Sequence, residues 1–211
     1  MFLPSLFPNL EPSPLITNSD GSKFGKSEGK NIWLDAKRTS PYHFYQYWMN
    51  VADADVIDFM KRLSMRTPDE IKSYEKGVQE AAHLREAQKA LAEELTLLVH
   101  GTEGLDSALR ITSVFFNNQW NALNLDELSA ALSEAPKIEV DASIGLNDAL
   151  TQAAVVVSKR EARDLITQGS ISVNGEKEVN LECVLDHSKA LHHRYSVIRK
   201  GKKTYMVVVF K

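Results

Sequence analysis

The sequence predicts an α+β chain, with a mostly α-helical first part followed by a small mixed α+β module. Three observations carry that reading. Apolar residues between Pro41 and Ala135 recur at helical spacing. The stretch "PKIEVDASIG", residues 136–145, has a proline, a glycine and no helical period, so it is expected to be a linker. Beyond it come short β-branched runs and an Asn174-Gly175 turn signal.

In chain order, "MFLPSLFPNLEPSP" starts apolar but has no basic flank and is broken by Pro4, Pro8, Pro12 and Pro14, so it suits an extended leader better than a signal peptide. "PLIT", 14–17, suits a short strand feeding the glycine-rich "SDGSKFGKSEGK", 19–30. A helix is expected to start at Ser40, with Pro41 at its first position, where the missing N–H costs nothing. Phe44, Tyr47, Trp48 and Val51 form its apolar face, and Tyr42, Tyr45 and Tyr47 are packing and surface groups. A second helix starts after Asp53 or Asp55, which suit a helix N-terminus and not an acid–base pair. "TPDE", 67–70, combines an N-cap, Pro68 and a back-reaching Glu70.

The longest helical pattern sets Leu84, Ala87, Leu91, Leu95 and Leu98 on one stripe and stops at Gly101, with His100 placed where a cation favours a helix C-terminus. "GLDSALRITSVFF" and "LDELSAALSE" add further helices. After the linker, "LNDALTQAAVVV" suits a short helix, and "SKREARDLITQG" opens with a capping box from Ser158 to Glu161 and closes on Gly169. Its Ala162, Leu165 and Ile166 turn inward, leaving Lys159, Arg160 and Arg163 off that face. "ISVNGEKEV" is a hairpin, because Asn-Gly accepts the positive φ angles of a type I′ turn. The last residues form two strands around the basic turn 200–203.

The 211 residues are 43% hydrophobic and 25% charged, ordinary globular material. No apolar run approaches the roughly 20 residues of a membrane span. A single cysteine, Cys183, excludes an internal disulfide framework and a multi-cysteine zinc site, and fits a reducing, cytoplasmic setting. With His187, His192 and His193 it matches no common zinc spacing, so no metal is expected. The net charge of -3 hides an asymmetry: residues 158–211 carry 11 Lys+Arg against 6 Asp+Glu, or +5, and the rest carries 14 against 22, or -8. Such a basic end suits a polyanion partner, or equally a solvated charged surface.

Lys23 and Lys26 place two ammonium groups on a flexible glycine-containing loop, which suits a polyphosphate whose charge shifts as a bond breaks. A simple surface turn is the plain alternative. A Walker A loop is not: five residues before Gly25 stands Asp20, and Gly29 follows where a helix should begin.

The residues around this loop point further. "PLITNSDGS", "KFGKS" and "IWLDAKRTSPYHFYQYWMNVADADV" together resemble bacterial tyrosyl-tRNA synthetases at the class I signature loop of KMSKS type. The resemblance continues through "AQKALAEELTLLVHG" and "SKREARDLITQGSISVNGEK" to the last residue. It implies ATP-dependent activation of tyrosine to tyrosyl-adenylate and transfer to tRNA(Tyr), with ATP as substrate accompanied by Mg2+. Lys23 and Lys26 would be the catalytic pair, stabilising the triphosphate, within an ATP-binding loop of Lys23, Phe24, Gly25, Lys26 and Ser27. Phe24 and Gly25 stand where other class I members carry Met and Ser.

The resemblance also makes 1–38 the remnant of a catalytic domain, 39–135 a helical domain, and 146–211 an RNA-binding domain of the type first described in ribosomal small-subunit protein four. Lys159, Arg160, Arg163, Lys200, Lys202 and Lys203 are its expected RNA contacts, because cationic side chains follow RNA shape. No HIGH-type tetrad precedes Lys23, and only about 22 residues stand where the family has a nucleotide-binding α/β domain. The chain alone is therefore expected to be inactive. It would bind ATP and tyrosine only if that domain is supplied, and would lack the family's homodimer contact. A stand-alone tRNA-binding module is the alternative.

Overall fold

A computed structural model describes residues 32–201 and 204–211. They form two compact units, one of residues 32–39 with 44–99 and the other of residues 40–43 with 100–211.

The first unit is helical. Helix α1 (Pro41–Met49) begins at Ser40, whose Oγ accepts from the His43 N–H at 3.3 Å. Phe44, Tyr45, Trp48 and Val51 are buried, and the Trp48 ring meets Phe59 of α2 (Asp53–Leu63) edge-on at 5.9 Å. Tyr45 thus takes the inward place expected of Tyr47, which is only half-buried. Burial, then nearby Glu93, pushes the Tyr45 hydroxyl up to about 12, as befits a packing group. Helix α3 (Pro68–Ala81) carries the expected capping box: Thr67 Oγ1 accepts from Glu70 N at 3.4 Å and Glu70 Oε2 accepts from Thr67 N at 2.8 Å.

Helix α4 (Glu86–Asn117) is interrupted at Gly101, whose φ of 71° and ψ of -176° lie in backbone space essentially reserved for glycine. The expected stop at Gly101 is therefore a break between two helical runs. Ala87, Leu91 and Leu95 are buried as the stripe predicts, but Leu84 and Leu98 are exposed. Leu84 ends a 3-10 turn before Arg85, whose φ is 53°, so it is out of phase with the helix. Burial lowers the His100 imidazole pKa, which disfavours the cation expected at this helix end.

The second unit is built on a five-stranded sheet in the order β1-β7-β6-β3-β4. Its strands are β1 (Lys137–Val140), β3 (Ile171–Val173), β4 (Glu176–Lys177), β6 (Tyr195–Lys200) and β7 (Thr204–Phe210). β1 runs parallel to β7, with Ile138 opposite Val208, and the other pairs are antiparallel. A separate antiparallel pair joins β2 (Ser143–Gly145) to β5 (Val184–Asp186). The segment 136–145 is consequently not a linker: it supplies β1 and β2, and Ile138 is buried.

Helices cover both faces of the sheet, as the side-chain period of two requires. Ile198, Met206, Val208 and Phe210 join a core with Leu146, Ala149 and Leu150 of α6 (Leu146–Gln152) and Ala162 and Ile166 of α7 (Lys159–Thr167). The alternate residues Tyr195, Val197 and Val207 join another core with Ile111 and Val114 of α4, Trp120, and Leu128 of α5 (Leu125–Ala131). Burial, then Glu134 and Tyr205, pushes the Tyr42 hydroxyl up to about 12, and its ring stacks on Phe115 at 6.0 Å. The Asn174-Gly175 turn forms as expected, with φ of 51° and 98°. Among the described residues no helix is long and apolar enough to cross a membrane.

Candidate nucleic-acid interface

Both faces of the sheet are taken up by helices, and the described cations that the sequence singles out lie on α7 and at the end of β6. Ser158 Oγ accepts from Glu161 N at 3.2 Å and starts α7. The capping box is completed differently from the expectation: Glu161 Oε2 accepts from Val157 N at 2.9 Å, one residue before the cap. Ala162 and Ile166 are fully buried, which turns Lys159, Arg160 and Arg163 outward to exposed positions.

The three are not equivalent. Lys159 pairs with Asp148 of α6 at 2.6 Å, which partly neutralises it. The guanidinium groups of Arg160 and Arg163 have no ion pair or hydrogen bond among the described residues. Of the three described cations of α7 they are the ones left free.

Lys200 is placed elsewhere. It follows Ser196 and Ile198 on the α7 side of β6, and its Nζ donates to Val155 O at 2.9 Å and pairs with Glu161 Oε1 at 3.0 Å. The Val157 N–H and then Lys200 hold the Glu161 carboxyl below the usual carboxylate range. Arg199, one residue earlier, points to the opposite face and donates through Nη1 to Asn118 Oδ1 at 2.5 Å. Lys202 and Lys203 lie outside the described residues, as do Lys23, Phe24, Gly25, Lys26 and Ser27.

The histidines serve the fold. His187 Nδ1 bonds to His193 O at 3.0 Å, His193 Nδ1 to His187 O at 3.1 Å, and His192 Nε2 to Leu123 O at 2.8 Å. Burial, then the Glu178 carboxylate, pushes the Cys183 thiol up to about 11, so it is unreactive at neutral pH. Local spacing missed two partners, Asp148 for Lys159 and Glu161 for Lys200. Only the register of β6 against α7 shows the second.

The profile of the family described as tRNA synthetases class I (W and Y) matches residues 6–117, slightly over half of the 211 residues. The chain belongs to this family. The profile described as the tyrosine–tRNA ligase SYY-like C-terminal domain matches residues 127–208. The tyrosine–tRNA ligase of Staphylococcus carnosus is 42% identical over 199 residues, 94% of this chain and 47% of that protein. That of Bacillus pumilus is 42% identical over 200 residues, with shares of 94% and 47%. Tyrosine–tRNA ligase 1 of Bacillus subtilis is 40% identical over 200 residues, with the same shares. The chain spans about half the length of the curated relatives it matches. The "KFGKS" loop falls inside the first matched stretch, and α7 and Lys200 fall inside the second.

Proposed function

We propose that this chain carries the tRNA-binding part of a tyrosine–tRNA ligase, together with the loop that serves adenylate formation. The reading is carried by the free Arg160 and Arg163 on α7, inside the stretch that matches the tyrosine–tRNA ligase C-terminal domain. Guanidinium groups at i and i+3 on one exposed helix face neutralise neighbouring phosphates, and their flexible stems follow the shape of a folded RNA. Lys202 and Lys203, which follow β6 in the sequence, would add to the contact.

Lys23 and Lys26 would grip the triphosphate of ATP, accompanied by Mg2+, while the tyrosine carboxylate attacks the α-phosphate and pyrophosphate leaves. Their contribution is to hold charge that grows on the leaving group. A nucleotide-binding floor must hold ATP and tyrosine beneath the loop for that contribution to count. The reaction serves translation and belongs in the cytoplasm.

Fluorescence anisotropy with labelled tRNA(Tyr) tests the reading. The chain is expected to bind, and Arg160→Glu with Arg163→Glu to weaken binding on the order of a hundredfold, with a shallower salt dependence. Both residues are exposed, so the melting temperature should hold. Unchanged binding in that variant would sink the reading. In tyrosine-dependent ATP–pyrophosphate exchange, the 211-residue chain by itself is expected to be silent. Exchange that is lost with Lys26→Ala would show instead that the chain forms adenylate unaided.

A further inference from the structure

We propose that Lys200 is a positioning residue for the RNA surface and not a phosphate contact: with Glu161 it fixes the start of α7 and so sets the direction of Arg160 and Arg163. The inference rests on the RNA-binding reading above.

Lys200 belongs by sequence to the cationic run "RKGKK", 199–203, where each lysine looks alike. The pleat sets Lys200 apart from Arg199, its neighbour on β6. As the last residue of β6, paired with Ile171 on one side and Thr204 on the other, Lys200 is held on both flanks by the sheet. Its side chain, 29% exposed, reaches across to the connector before α7. There a single Lys–Glu pair engages three consecutive features. Lys200 takes the Val155 carbonyl, Glu161 takes the Val157 N–H, and Ser158 caps Glu161.

The connector needs this. Helix α6 ends at Gln152, Ala154 two residues on has a φ of 54°, and Val157 is 94% exposed with no packing of its own. Without Lys200, segment 155–158 would keep the Val155 and Val156 bonds to Leu150 O and lose its tie to the sheet. Arg160 precedes Glu161 directly and Arg163 follows two residues on, so the pair sets the pitch of both. A phosphate could claim the Lys200 ammonium only by displacing a carboxylate and a carbonyl already in place. Holding α7 still before RNA arrives lowers the ordering cost of binding.

The experiment is tRNA(Tyr) binding by Lys200→Met, measured across a salt series in the full chain and repeated with Arg160→Gln and Arg163→Gln present. A positioning role predicts about tenfold weaker binding, an unchanged slope of log K against log salt, less than a twofold further loss in the arginine-less background, and recovery with Lys200→Arg. A slope reduced by about one, with losses that add to those of the arginines, would overturn it. So would unchanged affinity. Amide exchange reads the anchoring without RNA: Val157 and Glu161 N–H should exchange at least tenfold faster in Lys200→Met, and equal rates would sink the proposal. If Lys200→Met does not fold, Glu161→Gln leaves β6 intact and should show the same signs at smaller size. A wild-type chain that binds no tRNA would instead defeat the functional reading.

Discussion

Gly175→Ala is expected to cost roughly 3 kcal/mol of stability, measured by urea denaturation of the full chain. Two effects combine. Gly175 has a φ of 98°, which an alanine adopts only with strain. A Cβ at this position would also lie 2.1 Å from the carbonyl oxygen of Asn118, a backbone atom that cannot swing aside. Asn118 follows the last residue of α4 in left-handed geometry, with a φ of 59°, and receives Arg199 on its side chain, so moving it disturbs α4, β6 and the β3–β4 turn at once. Gly201→Ala is a fitting control, with a φ of 61° but nothing among the described residues within 4 Å of the added carbon. If both cost the same, the close approach to Asn118 contributes nothing.

The second large effect is Trp120→Ala, for which a loss of about 3–5 kcal/mol is expected. Trp120 is 1% exposed and meets the rings of Phe115 at 5.1 Å and Tyr205 at 5.7 Å, joining the α4 layer to the sheet. Truncation leaves a cavity among rings fixed by their own neighbours, so collapse around it is limited. The near neighbour Phe116 is 83% exposed, and Phe116→Ala should stay within about 0.5 kcal/mol. Equal costs at the two positions would refute the buried-layer explanation.

What could be read from the sequence is chemistry that acts within about four residues. The Ser40-Pro41 start, the Thr67-Glu70 box, the break at Gly101 and the Asn174-Gly175 turn each depend on local backbone needs, and all four appear. The outward turn of Arg160 and Arg163 follows from the buried period of Ala162 and Ile166. β1 was hidden for the opposite reason. Its strand partner is Val207–Phe210, far along the chain, and a four-residue parallel strand leaves little pattern of its own. The same holds for the cationic residues around α7. Nothing local distinguishes Lys159, held by Asp148, from its free neighbour Arg160. Nothing local turns Lys200 toward Glu161 either, because that depends on which side of the pleat faces α7.

The two-sided burial of β6 and β7 bears on how the second unit can be handled as a separate piece. A fragment cut at residue 146 would lose β1 and uncover Tyr195, Val197 and Val207, a bare apolar sheet face that invites self-association. A cut near residue 100 keeps the later part of α4 and α5–α7 with the sheet and gives up only residues 40–43 of this unit, with the Tyr42 stack on Phe115. The shortest well-behaved sample for binding work should therefore begin in the middle of α4, well upstream of the module's first strand.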